Sequence, residues 1–162
     1  MLPEYWTTFI ACGLFVLWQP NFSGSNTVEE KYETEDDRII PAGAFSIIWA
    51  ILYGLMTFSL FNYLEFSTIA TAGTWNIYDG VVILYGINIL LNKSWMPLFF
   101  GKWGMTGKVL ALVVNILMAG TGITILVFTA YQGMWLPFGL WAPYVLWNLI
   151  AIWLNVRALN TE

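Results

Sequence analysis

The sequence predicts an all-α integral membrane protein, a single domain in which five transmembrane helices form one bundle. Hydrophobic residues make up 59% of the 162-residue chain and charged residues only 10%, whereas soluble domains average about 25% charged residues. Five apolar stretches approach or exceed the length of about 20 residues that a helix needs to cross a bilayer. Six of the ten acidic residues fall in one polar segment, Glu29 to Asp37, which predicts a single extended loop.

The composition also excludes several kinds of function. The chain has no histidine and one cysteine, Cys12, so it cannot form an internal disulfide or a Cys/His zinc site. Catalysis by a histidine acid or base and haem ligation by histidine are excluded as well. The net charge of −4 and the absence of a basic patch argue against nucleic-acid binding. We expect no metal and no required cofactor.

The spans follow one another with short connections. The first is the shortest and lacks the basic leader of a signal peptide. A polar, acidic loop at residues 20–40 follows it and is expected outside the membrane, and an uncharged linker is predicted at residues 67–74. Pro143 lies within the last span and is expected to kink it. The predicted spans are residues 2–18, 42–66, 75–100, 105–131 and 136–159.

The basic residues predict the orientation in the membrane. With five spans, the first loop, the third connection and the C-terminus share one side, and every Lys and Arg falls on or near that side. Because cytoplasmic loops carry the excess of Lys and Arg, we expect the acidic loop and the C-terminus in the cytosol and the N-terminus outside. The sequence does not fix the host membrane. The basic residues are Lys31, Arg38, Lys93, Lys102, Lys108 and Arg157.

The most informative stretch runs from Tyr85 to Gly101, in the third span. Asn88 and Asn92 are four residues apart and so share one helix face. Polar groups at membrane depth turn towards other helices or a cavity. The amides either join helices or line a ligand site. For Lys93 we expect the ammonium to reach the interface rather than pair with a ligand carboxylate, and we expect Asp79 at the outer interface.

Further polar and aromatic side chains lie on faces of the other spans. Flat aromatic walls with a few polar groups suit a planar, mostly apolar ligand. The alternative is a tightly packed bundle whose amides satisfy one another, and spacing does not decide between the two. The residues concerned are Asn88, Asn92, Asn115, Asn148 and Asn155 with Trp49, Trp95 and Trp147.

Three patterns in this order resemble the TspO/MBR family of translocator proteins, also called tryptophan-rich sensory proteins or peripheral-type benzodiazepine receptors. Residues 91–101, LNKSWMPLFFG, resemble the family's LN-xx-W-xxx-FFG pattern. Residues 143–155, PYVLWNLIAIWLN, followed by Leu159 and Asn160, resemble its PY-xx-W-xxx-A-xx-LN ending. Pro41, Trp49, Leu52, Tyr53 and Met56 resemble the start of its second span. The first loop departs from the family, since acids replace an aromatic, Lys-Pro-rich stretch.

The resemblance implies a five-helix bundle of the TspO/MBR type, often a homodimer, that binds porphyrins or other tetrapyrroles between its helices. Trp49 and Trp147 match positions associated in bacterial relatives with light-dependent tetrapyrrole breakdown. If that chemistry operates here, replacing both with Phe must reduce it. The matching motifs imply a cavity lined by Trp49, Trp95, Trp147, Ala151 and Leu154, with Asn92 and Tyr53 nearby. Asn88 is added as a predicted site residue because it shares a helix face with Asn92.

The predicted function is therefore a membrane receptor or sensor for a porphyrin, such as protoporphyrin IX or a haem-like tetrapyrrole, or for another planar lipophilic ligand. Alternatives are a carrier of lipophilic ligands, a light-dependent porphyrin-degrading activity, and a structural membrane subunit without a ligand. Conventional hydrolytic or acid–base catalysis is not expected, because the spans contain no histidine, acid pair or activated nucleophile.

Overall fold

A computed structural model describes residues 2–18, 42–71, 77–101 and 103–160, and it forms five helices from them. This confirms the predicted all-α fold. The acidic loop and residues 72–74 of the predicted linker lie outside the described residues, as does the side chain of Asp79. The helices are α1 (Leu2–Leu17), α2 (Ala42–Thr71), α3 (Ile77–Phe100), α4 (Gly104–Tyr131) and α5 (Trp135–Asn160).

Four of these helices are long and apolar enough to cross a membrane. Their candidate spans are Ala44–Ser67, Gly80–Phe100, Gly104–Tyr131 and Trp135–Asn160. Helix α1 has 16 residues and is about 24 Å long at the usual rise per residue, which is less than the thickness of a typical hydrocarbon core. Large apolar side chains on the outer faces are exposed, as a surface in contact with lipid requires.

The helices alternate in direction and pack in a closed order. Helix α2 lies against α5, α5 against α4, α4 against α3, and α3 returns to α2, while α1 packs on the outside of α2. Phe9 of α1 contacts Phe58 and Phe61 of α2, with ring centroids 5.1 and 5.4 Å apart. The alternation brings the ends of α1, α3 and α5 together with the start of α2. We call this the site end, and the opposite end, which contains the α4–α5 turn, the far end.

Two glycines allow the tight connections beside α4. Gly133 ends the α4–α5 turn with a left-handed φ of 71°, a conformation that glycine adopts without steric cost. At the start of α4, a Cβ on Gly107 would lie 2.6 Å from the carbonyl oxygen of Leu98. The missing side chain therefore lets α4 approach the last turns of α3.

The structure corrects the predicted end of the second helix. Residues 67–71 were predicted as linker, yet α2 continues to Thr71. The Ser67 hydroxyl donates to the Leu64 carbonyl oxygen at 2.9 Å, so the polar side chain is satisfied by its own helix. Pro143 lies inside α5, which continues without a break to Asn160.

Candidate functional site

Three tryptophans from three different helices meet at the site end. Trp49 comes from α2, Trp95 from α3 and Trp147 from α5, and we call them the indole cluster. The Trp49 ring centroid lies 6.4 Å from that of Trp95 and 6.3 Å from that of Trp147. The three side chains are only 5 to 8% exposed. The sequence-predicted tryptophans are thus brought together, with Trp49 within ring-contact distance of the other two.

Phenylalanines complete this aromatic wall. Phe45 lies one turn before Trp49 and contacts both Trp147 and Phe100, at 6.2 and 6.3 Å. Phe99 lies one turn after Trp95 and stacks on it, with centroids 5.2 Å apart and planes 16° from parallel. In each helix the spacing of four residues places the two rings on one face.

The indole cluster contains unused hydrogen-bond donors. The Nε1 atoms of Trp49, Trp95 and Trp147 are all buried and have no hydrogen-bond acceptor in the described part of the chain. A buried donor that loses its partner costs about 1–3 kcal/mol, and buried Trp N–H groups usually find one. The three donors of the indole cluster are therefore unsatisfied within the described residues, and Trp141 Nε1, nearer the far end, is unsatisfied as well.

A chain of polar contacts lies beside the indole cluster. The Tyr53 hydroxyl donates to Asn92 Oδ1 at 3.1 Å, and Asn92 Nδ2 donates to the Tyr144 hydroxyl at 3.4 Å. The Tyr53 ring lies 5.2 Å from the Trp49 ring. Asn92 thereby joins α2, α3 and α5, and it holds Tyr53 against the indole cluster.

The other predicted site residues differ in their placement. Ala151 is buried one turn after Trp147, and Leu154 is half-buried. Asn88 does not share the neighbours of Asn92. Its Nδ2 donates to the Met118 carbonyl oxygen at 2.8 Å and to Thr121 Oγ1 at 2.7 Å, so this amide joins α3 to α4. A ligand contact by Asn88 stays a prediction.

The remaining amides do not satisfy one another. Both amide atoms of Asn115 and Asn155 are buried without a hydrogen-bond partner among the described residues. Asn148 lies beside the Tyr144 hydroxyl but makes no hydrogen bond of ordinary geometry. The five amides therefore do not pair with one another, which was one part of the tightly packed alternative.

Lys93 is placed differently from the sequence prediction. Its side chain is 4% exposed, so the ammonium does not extend to water as expected. It donates to the Val16 carbonyl oxygen in the last turn of α1 and lies 4.7 Å from the centroid of the Tyr53 ring. Helix α1 packs against Lys93 and buries it. The periodicity of the third span does not predict where α1 packs.

Some contributors to the site could have been found from the sequence. Phe45 and Phe99 lie four residues from Trp49 and Trp95, a spacing that marks a shared face. Tyr144 shares a face with Asn148, but its bond to Asn92 crosses 52 positions in the chain and no local pattern predicts it. Within the described residues, no three His, Cys, Asp or Glu side chains group together as a metal site would require.

A second aromatic group lies towards the far end. The Ser59 hydroxyl lies 2.9 Å from the Tyr85 hydroxyl and donates to the Pro137 carbonyl oxygen at 2.9 Å. The Tyr85 ring contacts Tyr63 and Trp141, with centroids 5.5 and 4.6 Å apart. The hydroxyl groups of this group are bonded within the protein, whereas Trp141 Nε1 is buried without an acceptor among the described residues, like the indole N–H groups of the site end.

Comparison with known families identifies the family of the chain. A family model described as the TspO/MBR family matches residues 8–160, nearly the whole chain. The chain belongs to the TspO/MBR family. No individually curated protein matches it significantly. Membership of the TspO/MBR family and the apolar helices make it an integral, multi-pass membrane protein with a sensing or binding role in general terms.

Proposed function

We propose that the protein is a membrane receptor or sensor that binds a porphyrin, or another planar lipophilic molecule, at the indole cluster. The observation that carries the proposal is the meeting of three buried indoles, from α2, α3 and α5, whose N–H groups have no acceptor in the described chain. Flat rings provide stacking surface for a planar ligand. The free N–H groups provide donors for its polar atoms, the combination typical of small-molecule sites.

The site requires the rings to separate when a ligand enters. The indoles contact one another at 6.3 and 6.4 Å, so a macrocycle enters by replacing indole–indole contacts with indole–ligand contacts. Each aromatic pair is worth about 0.5–1.5 kcal/mol beyond its area. The ligand restores stacking that the cluster gives up, which offsets part of the cost of separating the rings.

Titration with protoporphyrin IX tests this function. The protein in nanodiscs is titrated while the Soret band of the porphyrin is followed, with calorimetry as an independent readout. The Trp95→Phe, Trp147→Phe double variant removes two N–H donors and part of the stacking area, and we expect about tenfold weaker binding, from about 0.7 kcal/mol at each ring. The control is Trp135→Phe, Trp153→Phe, because these rings are 67% and 54% exposed on the outer surface.

Two outcomes count against the function. Binding that does not saturate in the wild-type protein would remove the porphyrin as ligand. Equal weakening by the exposed pair and by the cluster pair would mean that the porphyrin partitions onto the outer surface of the protein.

We also propose the orientation that the basic residues predict, with the site end in the cytosol. Lys93, Lys108 and Arg157 all belong to the ends of helices that meet there, which supports the assignment. Cysteine labelling tests it in a Cys12→Ala background, since Cys12 is the chain's one cysteine. A membrane-impermeant maleimide should label Tyr131→Cys, at the 85% exposed end of α4, from outside intact cells. It should label Asn160→Cys only after permeabilisation; the reverse pattern would invert the orientation.

A further inference from the structure

Lys93 is a buried cation with an incomplete set of partners. One of its donors is taken by the Val16 carbonyl oxygen, which lies in the last turn of α1 and has no partner within that helix. The Tyr53 ring provides a cation–π contact at 4.7 Å. An ammonium has three donors, and neither contact supplies a negative charge.

No described carboxylate is placed to neutralise it. Glu65 is the one acid whose side chain the described part of the chain includes. It lies twelve residues beyond Tyr53 on α2, or about 18 Å along the helix axis. Because a buried charge without a counter-ion is strongly unfavourable, the site is suited to an anion that comes from elsewhere.

The ammonium lies next to the indole cluster. Tyr53 contacts both, with its ring 4.7 Å from Lys93 Nζ and 5.2 Å from the Trp49 ring. The ammonium can therefore be no more than about 10 Å from the Trp49 ring centroid, the two distances combined. A planar molecule stacked in the indole cluster spans this distance when it carries an acidic side chain on its rim.

We propose that Lys93 binds a carboxylate of the ligand that occupies the indole cluster. The inference rests on the proposed function and narrows its ligand class to planar, amphipathic molecules with a free carboxylate. Val16 and Tyr53 hold the ammonium in place, and the carboxylate accepts from the donors that remain. Neutral ligands of the same shape lose this contact.

A cycle of two probes and four proteins tests the proposal. The probes are protoporphyrin IX and its dimethyl ester, which share the macrocycle and differ in their carboxylates. The proteins are the wild type, Lys93→Met, Lys93→Arg and Lys108→Met, each in nanodiscs of zwitterionic lipid. Lys108→Met is the matched control, since this substitution removes the same charge near the same end of the bundle. The quantity compared is the ratio of the ester Kd to the acid Kd. Each probe partitions into the lipid to the same extent whichever protein is present, so this partitioning does not affect the comparison of ratios between proteins.

We expect the wild-type ratio to exceed the Lys93→Met ratio by about 10- to 100-fold, the range for a hydrogen bond to a charged group. Lys93→Arg should keep most of the preference, because it keeps the charge. Lys108→Met should keep all of it. Thermal unfolding of each variant checks that α1 remains packed when its contact with Lys93 is removed.

Three results would overturn the inference. An equal loss of affinity for acid and ester in Lys93→Met would mean that Lys93 only holds α1 in place. Unchanged affinities for both acid and ester in Lys93→Met would mean that another anion, from residues 20–40 or from lipid, is bound to the ammonium. Loss of the preference in Lys108→Met as well would assign it to the general charge of this end. If neither probe binds the wild type saturably, the proposed function fails and this inference fails with it.

Discussion

Replacing Asn92 should uncouple three helices at once. The Asn92 side chain accepts from Tyr53 at 3.1 Å and donates to Tyr144 at 3.4 Å, and it is 2% exposed. Asn92→Leu keeps the branched shape of the side chain, with methyl groups in place of the amide oxygen and nitrogen, and it removes both bonds. The substitution leaves the hydroxyl groups of Tyr53 and Tyr144 without their amide partner, in a region where water is not expected to take the place of the amide.

The magnitude follows from the two distances. A hydrogen bond contributes about 1 kcal/mol net in proteins, and interhelical bonds in membrane proteins average about 0.6 kcal/mol. The Tyr53 bond has ordinary length, whereas the Tyr144 bond lies at the long limit. We therefore expect a coupling free energy of about 0.6–1 kcal/mol between Asn92 and Tyr53, a smaller one with Tyr144, and a total destabilisation of about 1–2 kcal/mol.

Double-mutant cycles measure these couplings. Asn92→Leu is combined with Tyr53→Phe in one cycle and with Tyr144→Phe in the other, and the free energy of unfolding is measured by titration with sodium dodecyl sulphate in mixed micelles. The Phe substitutions remove only the hydroxyl groups, so the rings continue to pack. A coupling of zero in both cycles, or a larger coupling to Tyr144 than to Tyr53, would refute this account of how the site is held together.

Other substitutions test the packing and the chemistry. Gly107→Ala should destabilise the bundle by about 1–3 kcal/mol, because the new Cβ would lie 2.6 Å from the Leu98 carbonyl oxygen; Gly120→Ala, with nothing within 4 Å, is the control and should be neutral or stabilising in the same unfolding titration. Asn88→Ala should cost about 1–2 kcal/mol through its two bonds to α4, and no measurable loss would show that these bonds do not hold α3 to α4. For light-dependent breakdown, Trp49→Phe, Trp147→Phe should slow the loss of bound protoporphyrin IX under illumination when occupancy is matched, and an unchanged rate would remove these indoles from the photochemistry.

The sequence predicted the helices well because lipid imposes a simple rule. Each apolar stretch must satisfy its backbone internally, so long apolar segments become helices. Their ends were less predictable. Helix α2 passes through Ser67 to Thr71, since the residues there are compatible with a helix and no proline stops it.

Parts of the site were within reach of sequence reasoning and parts were not. The three tryptophans of the indole cluster were predicted from the pattern of polar and aromatic residues and again from their resemblance to family positions, and the structure brings them together. Asn88 and Asn92 were assigned one face, yet residues four apart differ by about 40° around a helix and by 6 Å along it. That offset is enough for Asn88 to contact α4 while Asn92 contacts α2 and α5. The burial of Lys93 depends on where α1 packs, which periodicity within α3 does not encode.

The proposed function places the ligand among Trp49, Trp95 and Trp147. Fluorine NMR tests it directly, on protein labelled with 5-fluorotryptophan and titrated with protoporphyrin IX. Each resonance is assigned by replacing one tryptophan with phenylalanine. We expect the resonances of the indole cluster to shift or broaden at saturation and those of the exposed Trp135 and Trp153 to stay unchanged. Changes confined to the exposed rings, with the indole cluster unaffected, would contradict it.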